Sequence, residues 1–307
     1  MAVTASLVKE LREITGAGMM DCKKVLVETD GDVEKAVELL REKGLAKAAK
    51  KAGRVAAQGL VRIAFSADAK EAAIVEVNSE TDFVAKNEDF INFVEGLAKL
   101  ALESNANNMD EFMALSFEDG TVSDALNNKI ATIGENMNIR RFEKFSADGT
   151  VYGGYIHGNG TIGVIVGLKT EATADEIQVV AKDVAMQVAS MNPQFLDETS
   201  VDQDYIAHER EILKQQVLNE GKKPEMVDRI VDGKIKKEIK EVCLVEQKFV
   251  KNGDLTVKGY VAEAGKTIGK DMTVASMIRY EVGEGIEKKE EDFAAEVAAQ
   301  QAAAAGK

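Results

Sequence analysis

In Glu76-Val77-Asn78-Ser79-Glu80-Thr81-Asp82-Phe83-Val84-Ala85-Lys86 an alternating segment stops and a helical one prepares to start. Upstream, Ala72-Ala73-Ile74-Val75-Glu76-Val77 has the composition of a half-buried strand. Downstream, Asn87 to Glu103 carries Phe90, Val94, Leu97 and Ala101 at helical spacing and predicts an amphipathic helix. Asp82 and Phe83 fall between the two, and the residues alone leave two readings open. Phe83 lies seven positions before Phe90, so one unbroken helix buries both rings on a single face, with Asp82 as its N-cap. Alternatively the chain breaks there, and Phe83 stands outside as a wedge held by rigid neighbours.

The 307 residues suggest about two domains, and 45% hydrophobic with 30% charged residues is the composition of a globular protein. With 39 Lys+Arg against 53 Asp+Glu the net charge is −14, which argues against phosphate-backbone binding as the main task. Cys22, Cys243, His157 and His208 have no metal-ligand spacing, so no metal and no cofactor are expected. No apolar run reaches the length of a membrane span, and Glu10 and Glu13 break any signal-peptide pattern. A cytoplasmic protein with reduced thiols is the expectation.

Outward from the central stretch, the chain divides by period. Three helical patterns, about Thr4 to Glu13, Met19 to Glu28 and Asp32 to Glu42, are capped by Thr4 and Asp32 and stopped by Gly31 and Gly44. Leu7, Leu11, Val25, Val33, Val37 and Leu40 supply a small core. Lys43 to Arg54 reads as a solvated helix end and linker, because a nucleic-acid patch would carry interleaved aromatics. Leu60 to Phe65 and Ala72 to Asn78 then form a hairpin that delivers Asp82 and Phe83, and a helix from Val122 to Asn136 precedes the strand Asn138 to Phe142.

The plan recurs. Val151 to His157 and Thr161 to Lys169 form a second hairpin, Ala174 to Ser190 a helix, and Met277 to Glu281 a strand. The fold class is therefore α+β, with a core of two similar subdomains built on antiparallel sheets. Gly158-Asn159-Gly160-Thr161-Ile162-Gly163 has the spacing of a dinucleotide fingerprint but runs on into a strand, not a helix, so its glycines serve a turn exposing His157. Between helix and final strand, Asp202 to Asn219 and Glu225 to Cys243 predict an antiparallel helical hairpin with a narrow seam of Ile206, Ile212, Leu213, Val217, Met226, Ile230, Ile235 and Ile239. Residues 246 to 275 look turn-rich and inserted. A last helix from about Glu291 carries Phe293 and Val297, before an Ala-rich end.

Two stretches carry a resemblance. Glu76 to Lys86, and Leu11-Arg12-Glu13-Ile14-Thr15-Gly16-Ala17-Gly18-Met19-Met20-Asp21-Cys22-Lys23-Lys24-Val25-Leu26, are similar to signatures of the elongation factor Ts family. The resemblance implies a guanine nucleotide exchange factor that is no enzyme. It binds elongation factor Tu, GDP-bound or nucleotide-free, and promotes GDP release in translation elongation, with no direct nucleic-acid or membrane partner. It implies that Thr81, Asp82, Phe83 and Val84 disturb the partner's magnesium site. Arg12, Met19, Met20, His157, Gly160, Ile162, Gly163 and Phe293 are further partner-facing positions by the same likeness, and Thr161 departs from the basic residue common in the family. It also implies a ubiquitin-associated-like module at 1–53, subdomains at 54–141 and 142–284 with the helical hairpin at about 200–243, and a C-terminal module at 285–307. Dimerisation of the complex is left open. A non-catalytic scaffold or chaperone-like binding protein is the alternative, and an enzyme using His157 a distant third.

Overall fold

The structure is a computed structural model that describes residues 3–287. Thr4 caps α1 (Ala5–Thr15) by accepting the Leu7 amide, and Gly16 closes it in the left-handed region. Helix α2 (Met19–Glu28) follows, and Asp32 caps α3 (Val33–Lys51) by accepting the Lys35 amide. Leu11, Cys22, Val25, Leu26 and Ala36 are buried between the three, with Leu7, Val33, Val37 and Leu40 at the margin. Gly44 does not stop the third helix as expected; α3 runs seven residues beyond it. The reason is packing. A Cβ on Gly44 would lie 3.3 Å from Ala131, so the missing side chain lets α3 approach the core closely. The basic stretch from Lys43 is thus mostly helix, and Ala48 on it joins the core cluster of the next layer.

Strands β1 (Gln58–Phe65) and β2 (Glu71–Ser79) form the first hairpin. They are followed by the short α4 (Asp82–Ala85), α5 (Glu88–Glu103), α6 (Met109–Met113), the two-residue strands β3 (Ser116–Phe117) and β4 (Gly120–Thr121), α7 (Val122–Ile133) and β5 (Met137–Ser146). Strand β5 continues across the expected boundary after residue 141. The first sheet has the antiparallel order β1-β2-β5. The second copy runs β6 (Thr150–His157), β7 (Ile162–Thr170), α8 (Ala174–Met191), α9 (Gln203–Asn219), α10 (Pro224–Val242), β8 (Lys248–Phe249), β9 (Asn252–Thr256), α11 (Val257–Ile268) and β10 (Met272–Glu281). Its sheet has the order β10-β7-β6.

Each sheet buries one face under helices and the other against its twin. Ala73, Val75 and Val77 of β2 pack with Phe90, Phe93, Val94 and Leu97 of α5, while Ala72 and Ile74 turn the other way to meet Ile165, Tyr152 and Tyr280 of the second sheet. The expected half-buried strand is therefore buried on both faces, because a second sheet covers the side that alternation assigned to solvent.

Residues 246 to 275 are not a turn-rich insertion. They repeat the β3-β4-α7 unit as β8-β9-α11: Thr121 and Thr256 each accept an amide three residues on, and Gly134 and Gly269 close the helices with positive φ. Helix α11 buries Val257 and Val261 in the second core cluster. The predicted helical hairpin is present as α9 and α10, tied by Arg210–Asp232 at 2.7 Å and Lys234–Glu220 at 3.2 Å. Its seam holds Ile206, Leu213, Val217, Val227, Ile230, Val231, Ile235 and Ile239. Ile212 and Met226 face solvent instead, since the valines 227 and 231 occupy the inward positions.

Candidate functional site

Where β2 ends, Ser79 Oγ donates to the Thr81 carbonyl at 3.0 Å and starts to bend the chain. Thr81 takes the N-cap position of α4, so Asp82 is the first helical residue and not the cap expected of it. One turn later the helix stops: the Lys86 and Asn87 amides donate to the Phe83 and Val84 carbonyls, and Asn87 opens α5 by accepting the Asp89 amide at 2.8 Å. This restart decides the fate of the two rings. Phe90 is fully buried, whereas Phe83 is 78% exposed, because they no longer share a helix face. Core burial of Phe83 is thereby excluded. Its neighbour Val84 is 5% exposed and joins the core, so the turn is pinned from inside next to the ring it presents.

Lys86 Nζ lies 2.6 Å from Asp82 Oδ2 and 5.8 Å from the Phe83 ring centroid. The Lys86 hydrogen bond holds the Asp82 carboxyl below the usual carboxylate range. The exposed tip therefore combines an apolar ring with a carboxylate that is ionised at neutral pH.

The second turn joins β6 to β7. His157 is exposed, with Nδ1 3.0 Å from the Tyr155 hydroxyl. Behind it a 3-10 turn, Gly158–Gly160, carries Asn159 in the left-handed region and passes directly into β7, so no helix opens toward a phosphate. Gly160 and Gly163 are buried rather than presented. A Cβ on Gly160 would lie 2.8 Å from Leu60, and one on Gly163 2.3 Å from Val61, so both glycines let this turn rest against β1. Ile162 is half-buried. Strand β1 thus runs between the two turns: Gln58 pairs with Ser79 just before the Phe83 turn, and Leu60 and Val61 support the His157 turn.

The corner between α1 and α2 is a separate surface. Met19 and Met20 are 60% and 63% exposed on α2, and Arg12 is exposed in the last turn of α1. Ile14, at 58% exposure, belongs to the same corner and escaped the sequence reading because helical spacing alone does not mark an outward residue. Phe293 and the helix expected from Glu291 lie outside the described residues.

No sequence pattern marks Glu135. Its carboxylate accepts both the Thr81 amide, at 2.9 Å, and the Thr81 hydroxyl, at 2.7 Å, across 54 positions that no local pattern links. Among the described residues no group of three His, Cys, Asp or Glu side chains could hold a metal, and no helix is long and apolar enough to cross a membrane.

Residues 80–284 match the model of the family described as Elongation factor TS. The chain is 56% identical to Elongation factor Ts of Clostridioides difficile (strain 630), over 97% of its own length and 98% of that relative. It is 56% identical to the protein of the same name from Clostridium novyi (strain NT), over 96% and 97% respectively. For Clostridium tetani (strain Massachusetts / E88) the figures are 55%, 96% and 98%. With residues 80–284 matching the family model and near full-length relatives of that name at 55–56% identity, this chain belongs to the elongation factor Ts family of translation elongation factors.

Proposed function

We propose that this protein is the guanine nucleotide exchange factor for elongation factor Tu, binding its GDP form and promoting GDP release. The observation that carries this reading is the bare ring of Phe83, 78% exposed on a turn whose adjoining residue Val84 is sunk in the core. A large apolar side chain held out by a rigid support gains free energy only when something else covers it. In this reading Phe83 inserts between partner side chains beside the metal site, and the ionised Asp82 competes there for the ligands and waters that support magnesium. Thr81 and Val84 act by holding that tip.

One ring is not sufficient. A nucleotide held at nanomolar affinity is bound by about 12 kcal/mol, and burying a phenylalanine contributes about 1.5–3 kcal/mol. The remainder is gathered over a wide surface, to which the His157 turn and the Met19–Met20 corner with Arg12 contribute. Thermodynamic reciprocity completes the cycle: whatever factor the protein takes from nucleotide affinity, the nucleotide takes from the protein's own binding. Binding of GTP therefore displaces it.

The test is release of a fluorescent GDP analogue from elongation factor Tu with the protein at substoichiometric concentration and excess unlabelled nucleotide. Multiple turnovers per molecule are expected. Binding without faster release would leave a scaffold.

A further inference from the structure

We propose that Glu135 is a positioning residue for the Phe83 turn, through a latch that joins the loop before β5 to the loop after β2. The role rests on the exchange reading above, since it concerns the same turn. A single helical turn such as α4 is not stable by itself, so its direction must be set by what holds its ends. At the C-terminal end, Val84 is buried and Asn87 begins α5. At the N-terminal end Thr81 occupies the cap position but gives no side-chain cap bond to the helix. Its hydroxyl and its amide both donate to Glu135 instead, at 2.7 and 2.9 Å.

The bonding is reciprocal. Glu135 sits between Gly134, which closes α7, and Met137, which opens β5, and its carboxylate takes the amide of Thr81 in the other loop. The residue before Thr81, Glu80, returns the contact by accepting the amide of Asn136, the residue after Glu135. Asn136 Nδ2 then donates to the Arg54 carbonyl at 2.7 Å, which brings the segment between α3 and β1 into the same knot. Each carboxylate thus satisfies a main-chain amide of the opposite loop, and hydrogen bonds to an ionised acceptor are stronger than neutral ones. Glu135 itself is half-buried at the edge of the core, so its loss frees the turn without opening a cavity in the apolar interior.

The experiment compares the parent with Glu135→Ala and Glu135→Gln in the full chain, after thermal melts. Hydrogen exchange of the peptide covering residues 80–86, in the protein alone, is expected to quicken at least about tenfold in Glu135→Ala. Glutamine, which keeps one acceptor oxygen, should restore part of the protection. With elongation factor Tu and a fluorescent GDP analogue, titration should show the maximal release rate falling about tenfold in Glu135→Ala, as expected for a misplaced reacting geometry. The half-saturating concentration should stay within about twofold, and Glu135→Gln should lie between. Unchanged hydrogen exchange would overturn the latch whatever the activity. Faster hydrogen exchange with an unchanged maximal rate would overturn the positioning role alone. A parent that fails to accelerate release would overturn the exchange reading and the positioning role with it, while hydrogen exchange would still decide the latch.

Discussion

The Gly283 amide donates to Glu76 Oε1 at 2.9 Å, although the two residues are 207 positions apart. Glu76 is a fully buried carboxylate on the inner face of β2, and it also receives Arg140 at 3.2 Å, Arg141 at 2.6 Å and Asn78 Nδ2 at 3.0 Å. Arg141 lies over the Tyr280 ring at 3.9 Å, and Arg140 donates to the Glu284 carbonyl. One anion therefore joins the first sheet to the end of the second and fixes where the chain leaves β10.

Removing that carboxylate takes from Arg140 and Arg141 their shared buried partner, while Arg141 keeps Glu284 at 3.2 Å. Glu76→Ala should cost about 3 kcal/mol, the low end for breaking a buried pair, because both arginines keep some solvent. Urea denaturation measures it, and a loss under about 1 kcal/mol would contradict the role given to this residue.

The close approach of the His157 turn to β1 predicts a steric effect. Gly163→Ala places a methyl 2.3 Å from Val61 Cγ1, inside a well-packed junction. A destabilisation of about 1–3 kcal/mol is expected from overpacking, read as a lowered thermal midpoint.

The two phenylalanines flanking Asn87 should behave oppositely. Phe90→Ala empties a fully buried site and should cost about 3–5 kcal/mol. Phe83→Ala should change stability by no more than about 0.5 kcal/mol, as for an exposed position. Equal losses in parallel unfolding curves would refute the separation of the two rings.

Acid should expose a further link. The Lys270 hydrogen bond, at 2.6 Å, and the Thr173 amide hold the Glu176 carboxyl down to about 2, from an ordinary value of 4.5. A folded-state value below the unfolded one contributes stability that is complete above about 4.5 and is lost as pH falls toward 2. Glu176→Gln should therefore melt lower than the parent at neutral pH, and the two midpoints should converge by about pH 2. The pair faces solvent, so the gap is small and should shrink further in high salt.

Much of this architecture is legible in the chain. Period-two and period-3.6 patterns locate the two hairpins, α5, α8 and the α9–α10 hairpin to within a few residues. What period cannot supply is burial by a distant element. Alternation makes β2 half-buried, and only the second sheet turns its other face inward. Patterning hides the helix α11 because Asn252-Gly253-Asp254 dominates its neighbourhood, yet Phe249, Thr256-Val257, Gly269 and Met272 repeat Phe117, Thr121-Val122, Gly134 and Met137. At the site, the family likeness marks Phe83, but the residues alone leave it undecided. Its exposure follows from the helix restart at Asn87, and Glu135 becomes visible only when two loops meet.

The central claim is that Phe83 acts on the partner and not on the fold. It is tested most directly by stopped-flow release of a fluorescent GDP analogue from elongation factor Tu, comparing the parent with a Phe83→Ala variant shown to melt at the same temperature. Strong acceleration by the parent and a large loss in the equally stable variant is the predicted result. Equal acceleration by both proteins would contradict it and leave exchange to the surrounding surface.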